Sequence, residues 1–111
     1  MKIAFTTKGE GWDAVIDPRF GRTEFLVILD EESGKLEAVD NSSVSEHAHG
    51  AGPMTAQLII EKNVQILVTG NGPGGNAERV ISTAGIKTYT GAGDMTVKQA
   101  YGAYNEGKLQ N

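Results

Sequence analysis

The two histidines of this 111-residue chain stand two residues apart, in Ser45-Glu46-His47-Ala48-His49-Gly50. In an extended segment that spacing puts both rings on one side, where His47 and His49 could share a metal ion or a metal-sulfur cluster. The alternative is a pair of loop histidines that bind nothing. A third protein ligand is not identifiable; Glu46 and Asp94 are the nearby carboxylates to consider. Because the chain has no cysteine, thiolate nucleophiles, disulfides and four-thiolate anchoring of zinc or iron-sulfur clusters are all excluded.

Two further segments could hold an anion. Gly70-Asn71-Gly72-Pro73-Gly74-Gly75-Asn76 lies between a strand-like and a helix-like stretch, so its bare backbone can present N–H groups at a helix N-terminus. Gly72, Gly74, Gly75 and Asn76 are the candidate donors. The loop lacks the lysine and hydroxyl residue of a Walker motif, and its spacing is not the dinucleotide fingerprint. A tight turn that needs small residues explains the same composition. In Asp17-Pro18-Arg19-Phe20-Gly21-Arg22, the guanidinium groups of Arg19 and Arg22 suit an anionic ligand, or else are solvated while Phe20 packs beneath them. Trp12, at the end of Gly9-Glu10-Gly11-Trp12, is read as a loop anchor in preference to a lid. No nucleophile with a base and an orienting group is visible near serines 42, 43 and 45, and Asp17 and Asp94 alone do not make a two-metal carboxylate site. Catalysis is therefore not expected.

Hydropathy patterns predict the elements that position these loops. Ile3-Ala4-Phe5-Thr6-Thr7 reads as a strand, and Phe25-Leu26-Val27-Ile28-Leu29 as a strand buried on both faces. The turn cluster Asp30-Glu31-Glu32-Ser33-Gly34 and the alternating Lys35-Leu36-Glu37-Ala38-Val39 make residues 24–41 a hairpin. A helix is expected over about 52–63, a strand over 65–70, a helix over 76–84 closed by Gly85, a strand over 86–90, and a last helix capped by Thr96 and ending near Gly107. An antiparallel meander followed by right-handed crossovers makes strands one, three, four and five parallel. Their exit loops, residues 8–23, 42–52, 70–76 and 91–96, then converge at the edge where open α/β sheets bind ligands.

Size and composition agree with one α/β domain spanning residues 1–111. No apolar run approaches the ~20 residues that span a bilayer, and the N-terminus reads as a strand, so a cytoplasmic protein without membrane contact is expected. With 14 acidic and 10 basic residues the formal charge is -4, which does not favour nucleic acid.

Together, Met1-Lys2-Ile3-Ala4, Phe20-Gly21-Arg22, His49-Gly50-Ala51-Gly52, Gly72-Pro73 with Asn76-Ala77, and Ala84-Gly85-Ile86-Lys87 resemble the dinitrogenase iron-molybdenum cofactor biosynthesis family in order and spacing. The resemblance covers nearly the whole chain. It implies a nitrogenase accessory factor-like domain: three layers, a five-stranded mixed sheet and a ribonuclease H-like strand order of 3-2-1-4-5. It also implies a non-catalytic carrier or accessory protein for an iron-sulfur, iron-molybdenum or related metal-sulfur cluster, with a cluster donor or acceptor protein as partner. Many relatives have a histidine where this chain has Arg19, so a metal ligand is not carried over to that position. The alternative is a regulatory module that binds a nucleotide or other phosphate ligand with the same loops.

Overall fold

The structure, a computed structural model, describes residues 1–46 and 49–111. Five strands, β1 (Lys2–Thr7), β2 (Phe25–Asp30), β3 (Lys35–Asp40), β4 (Ile66–Val68) and β5 (Lys87–Tyr89), form one sheet of order β3-β2-β1-β4-β5. Among the described residues, four helices complete it: α1 (Ser42–Ser45), α2 (Ala51–Glu61), α3 (Gly75–Thr83) and α4 (Val97–Asn105). β2 is antiparallel to both β1 and β3, while β1, β4 and β5 are parallel. The three-layer α/β fold and the strand order expected from the sequence are those observed.

The period-two alternation of the strands divides the core. Ala4, Leu26, Ile28 and Leu67 face α2 and α3, where they meet Ala56, Ile59, Ala77 and Ile81. Ile3, Phe5, Val27, Leu29, Ile66 and Val68 face the other way, against Val97 and Ala100 of α4. Burial on both faces is why β2 reads as a continuous apolar run. β3, at the sheet edge, has most of its residues exposed.

Local signals set the element ends. Gly85 (φ +79) closes α3: its N–H donates to the Ser82 carbonyl, and that of Ile86 donates to the Ile81 carbonyl. Thr96 and Gln99 form a reciprocal capping box on α4. Residues 42–45, expected as loop, form α1 because the Asn41 carbonyl accepts the Val44 and Ser45 N–H groups. The Ser42 hydroxyl, and with it the Ser42 N–H that donates to Asp40 Oδ1, holds the Asp40 carboxyl below its usual range. α2 begins one residue early, so Pro53 is its third residue, still among the positions whose N–H has no helical partner. Trp12 packs on Tyr101 of α4, with ring centroids 6.1 Å apart, as an anchor on the face away from α2 and α3. No helix among the described residues is long and apolar enough to cross a membrane.

Parallel topology brings the exit loops of β1, β3, β4 and β5 to one edge, where backbone lies on backbone. A Cβ on Gly70 would lie 2.6 Å from Pro18 Cα, and a Cβ on Gly21 would lie 2.7 Å from Gly52 N. Real structures do not tolerate such distances, so Gly70→Ala and Gly21→Ala should each lower the unfolding free energy by about 1–3 kcal/mol. Gly102→Ala, inside α4 with nothing within 4 Å of the added carbon, should raise it by roughly 0.5–1 kcal/mol. Urea denaturation of the three variants checks both signs.

Candidate functional site

Three segments meet at this edge. The first is the 17–22 loop, which the sheet supports from below: the Asp17 N–H donates to the Thr6 carbonyl, and Thr6 Oγ1 donates to the Asp17 carbonyl at 2.8 Å. The second is the start of α2, pressed against Gly21. The third is the 70–76 loop, whose Asn71 N–H donates to the Pro18 carbonyl at 2.8 Å. A Cβ on Gly52 would lie 3.1 Å from Ala77 Cβ, so the first turns of α2 and α3 are in contact. The loop after β5 closes the far side, with the Gly91 N–H on the Gly70 carbonyl at 3.0 Å.

Two helices therefore start side by side, and neither start is capped by a side chain. The N-caps are Gly50, which is left-handed at φ 79, and Gly74; among the described residues neither makes a side-chain capping hydrogen bond, and the acidic side chain of the first turn of α3 is Glu78. α4, which starts away from this pair, has its full capping box. The early peptide N–H groups of α2 and α3 thus add their partial positive charges at one place.

Positive φ does not account for the glycines of the α3 loop. Gly74 has φ -75 and ψ 171, and none of Gly70, Gly72, Gly74 or Gly75 is in the left-handed region. Gly70 is explained by Pro18. Gly72 would place a Cβ in ordinary contact with Thr90 Cγ2 at 3.7 Å, and Gly74 and Gly75 would meet nothing within 4 Å. The tight-turn explanation therefore fails for Gly74 and Gly75, which are exposed and conformationally ordinary. Their missing side chains leave open space in front of the α3 N–H groups. Asn76, the second residue of α3, is also exposed.

Arg19 and Arg22 diverge in their contacts. The Arg19 guanidinium lies against the Asp17 carboxylate, Nη2 to Oδ2 at 3.1 Å, and is itself 56% exposed. That hydrogen bond and the adjacent charge raise its pKa above the ordinary arginine value, so it stays cationic. Arg22 Nη1 instead donates to the Ser45 carbonyl at 2.6 Å, tying the 17–22 loop to α1 and the segment that leads to the histidines. Phe20 is buried between them as core. Behind Gly21, the buried Asn41 Nδ2 donates to the Thr23 carbonyl at 3.0 Å and to Thr55 Oγ1 at 3.2 Å.

His49 is exposed and directly precedes the N-cap of α2; His47 lies outside the described residues. Among the described residues, no three histidine, aspartate or glutamate side chains come together as a metal site. Asp17 does not offer a free carboxylate to magnesium either, because Arg19 occupies both of its oxygens. The Asp17–Arg19 pairing was not foreseen from the sequence. Its signal was an aspartate two residues before an arginine, with a proline between them to turn the chain.

Comparisons with known proteins point one way. The family model described as dinitrogenase iron-molybdenum cofactor matches residues 1–107. The apo form of the orange protein from Desulfovibrio gigas superposes with a TM-score of 0.92 at 35% identity, covering 97% of this chain and 89% of that one. A Thermotoga protein, named in its description as a NifB candidate of the DUF35 family, gives 0.85 at 35% identity over 99% and 91% of the two chains. No curated protein matches.

The open space at Gly74 has a measurable consequence. Gly74→Asp places a carboxylate at an uncapped N-cap, where it can accept the α3 N–H groups without meeting a neighbour. The unfolding free energy should rise by about 0.5 kcal/mol in chemical denaturation. A fall of more than that would mean that the turn itself demands glycine.

Proposed function

This chain belongs to the dinitrogenase iron-molybdenum cofactor family, and from that premise we propose that it is a non-catalytic carrier of an anionic metal-sulfur cluster of the iron-sulfur or iron-molybdenum type. The carrying observation is the pair of uncapped helix starts behind open glycine positions, at the edge where four strand-exit loops meet. Donor chemistry fits such a cargo. A chain with no cysteine cannot anchor a cluster by thiolates, but peptide N–H groups and guanidinium donate to sulfide or oxo ligands without displacing them from the metal.

In this reading the backbone at Gly72, Gly74, Gly75 and Asn76 holds one side of the cluster, and Arg19 supplies a fixed cation beside it. Arg22 tethers the histidine loop, and His47 and His49 provide the metal ligation available to the chain. The Desulfovibrio gigas relative is described as the apo form of an orange protein. Carrying requires a protein that donates the cluster or accepts it, and the proposed setting is the cytoplasm, without nucleic acid or membrane.

One observation favours the nucleotide reading. A groove of about 380 Å³ between α3 and β5 begins at Gly72 and Pro73 and runs past Ile81, Ile86, Thr88 and Thr90, so an apolar slot adjoins the N–H cradle. The cradle lacks the lysine that nucleotide-binding loops of this type place on the terminal phosphates, and so the cluster reading is preferred.

Anaerobic reconstitution with ferrous iron, sulfide and molybdate separates the two. The wild-type protein should acquire a visible chromophore at a fixed metal-to-protein ratio, and Gly74→Asp should not. The His47→Ala/His49→Ala double variant should lose most of its loading while its thermal transition stays in place; equal loading would remove the histidines from the site. A colourless protein that instead binds ATP in calorimetry would replace the carrier by the regulatory module.

A further inference from the structure

Asp17 is the one charged side chain with no solvent exposure among the described residues, and its carboxylate is spent on a partner that is itself more than half exposed. Oδ1 accepts the Arg19 backbone N–H at 3.0 Å and Nε–H at 3.1 Å, and Oδ2 accepts Nη2–H at 3.1 Å. Burying a carboxylate is expensive, and such a pair is a poor source of net stability. What the arrangement does accomplish is geometric. Two of the five guanidinium N–H groups are fixed on Asp17, so the plane and direction of the rest are set, and three N–H groups remain along the exposed edge.

The support runs unbroken into the sheet. Asp17 is bonded through its N–H and its carbonyl to Thr6 of β1, and Thr6 Oγ1 lies 2.7 Å from Thr69 Oγ1 at the end of β4. Pro18 limits the backbone between the two partners and lies against Gly70, and its carbonyl accepts the Asn71 N–H. The Arg19 fork is therefore referenced to the same backbone that opens the glycine cradle.

We infer that Asp17 is a positioning residue that holds the Arg19 guanidinium as a rigid fork beside the α3 start, so that the site takes anions presenting two acceptor atoms together. The ligand class is a polyatomic oxo- or thioanion, alone or as the face of a metal-sulfur cluster. A halide offers one centre, on which the two parallel N–H groups can only converge, and so gains less from the fork. The inference rests on reading the 17–22 loop as part of the ligand site.

A double-mutant cycle, with iron, sulfide and molybdate as the load, tests it. Arg19→Ala and Asp17→Asn should each weaken loading about tenfold. The Asp17→Asn/Arg19→Ala double variant should be no worse than Arg19→Ala alone, because Asp17 acts through Arg19. Additive losses would make Asp17 merely structural and overturn the inference. A second readout needs no ligand: the Arg19 Nε–H signal in nitrogen-resolved NMR should be sharp and slow to exchange in the wild type and averaged in Asp17→Asn, with Arg79 unchanged as a control. An unchanged Arg19 signal overturns the proposal. If Asp17→Asn does not fold, Arg19→Lys serves, keeping the charge and losing the fork; wild-type loading by this variant overturns the proposal too. If the wild type loads and Gly74→Asp does not, while Arg19→Ala loads normally, only this inference falls. If the wild type takes up no metal at all, the carrier reading falls and this one falls with it.

Discussion

The contact on which the rest of the structure depends is backbone packed on backbone above the sheet. Neighbouring strands are about 4.8 Å apart, so parallel strands that end together send their loops out side by side with no room for side chains between them. Here Gly70 lies on Pro18 and Gly21 lies on Gly52, each closer than a Cβ would permit. These two contacts fix the first turn of α2 against the 17–22 loop, and the entry to α3 against Pro18. Where the helices begin, which way Arg19 faces and which N–H groups point outward all follow from them.

That packing resolves an electrostatic difficulty. A chain of net charge -4 repels anions at long range, yet the proposed anion site calls for a local positive field. Peptide dipoles supply such a field without adding a titratable charge, provided that nothing else satisfies the N–H groups. Gly74 at the N-cap of α3 meets that condition, because a serine or aspartate in its extended conformation would consume the donors, whereas Gly50 before α2 is set by its left-handed φ of 79. Thr96 shows that the chain caps a helix fully where no such demand exists. Arg19 adds a full charge, and the buried Asp17 keeps it from swinging into solvent.

Much of this was legible in the sequence because it is written in short-range patterns. Alternation in β1 and β3, the apolar run of β2, the turn cluster at 30–34 and the glycine after α3 gave the elements to within a few residues, and chain direction gave the edge where the loops converge. Gly85 was legible as the glycine that closes α3, but the glycines of the 70–76 loop were legible only as a group. Sequence shows that Gly70 and Gly74 have no side chain, but not that Gly70 needs proximity to Pro18 and that Gly74 needs neither that nor positive φ. Those distinctions lie in tertiary contacts, where one residue's constraint is another residue's position. Asp17 was obscure for the same reason: a local Asp-Pro-Arg string becomes a buried clamp only when β1 and β4 stand beneath it. α1 was missed because four residues have no periodicity to read, and its hydrogen bonds depend on Asn41 and Asp40 rather than on its own composition.

The donor set also bears on how cargo would leave. Thiolate ligation makes cluster release a matter of breaking covalent metal-sulfur bonds, which suits a resident cofactor. Peptide N–H groups and guanidinium hold an anion through hydrogen bonds that water can replace one at a time, each worth about 1.5–3 kcal/mol when the acceptor is charged. A few such bonds on a preorganised backbone reach the micromolar range, for which about 8 kcal/mol suffices, without approaching irreversibility. The scaffold must then be rigid, because weak bonds add up only if no ordering cost is subtracted from them. The loops of this chain are fastened to one another and to β1 and β4, which supplies that rigidity, and in the proposed carrier a donor set without thiolates would leave the cargo exchangeable once His47 and His49 release it.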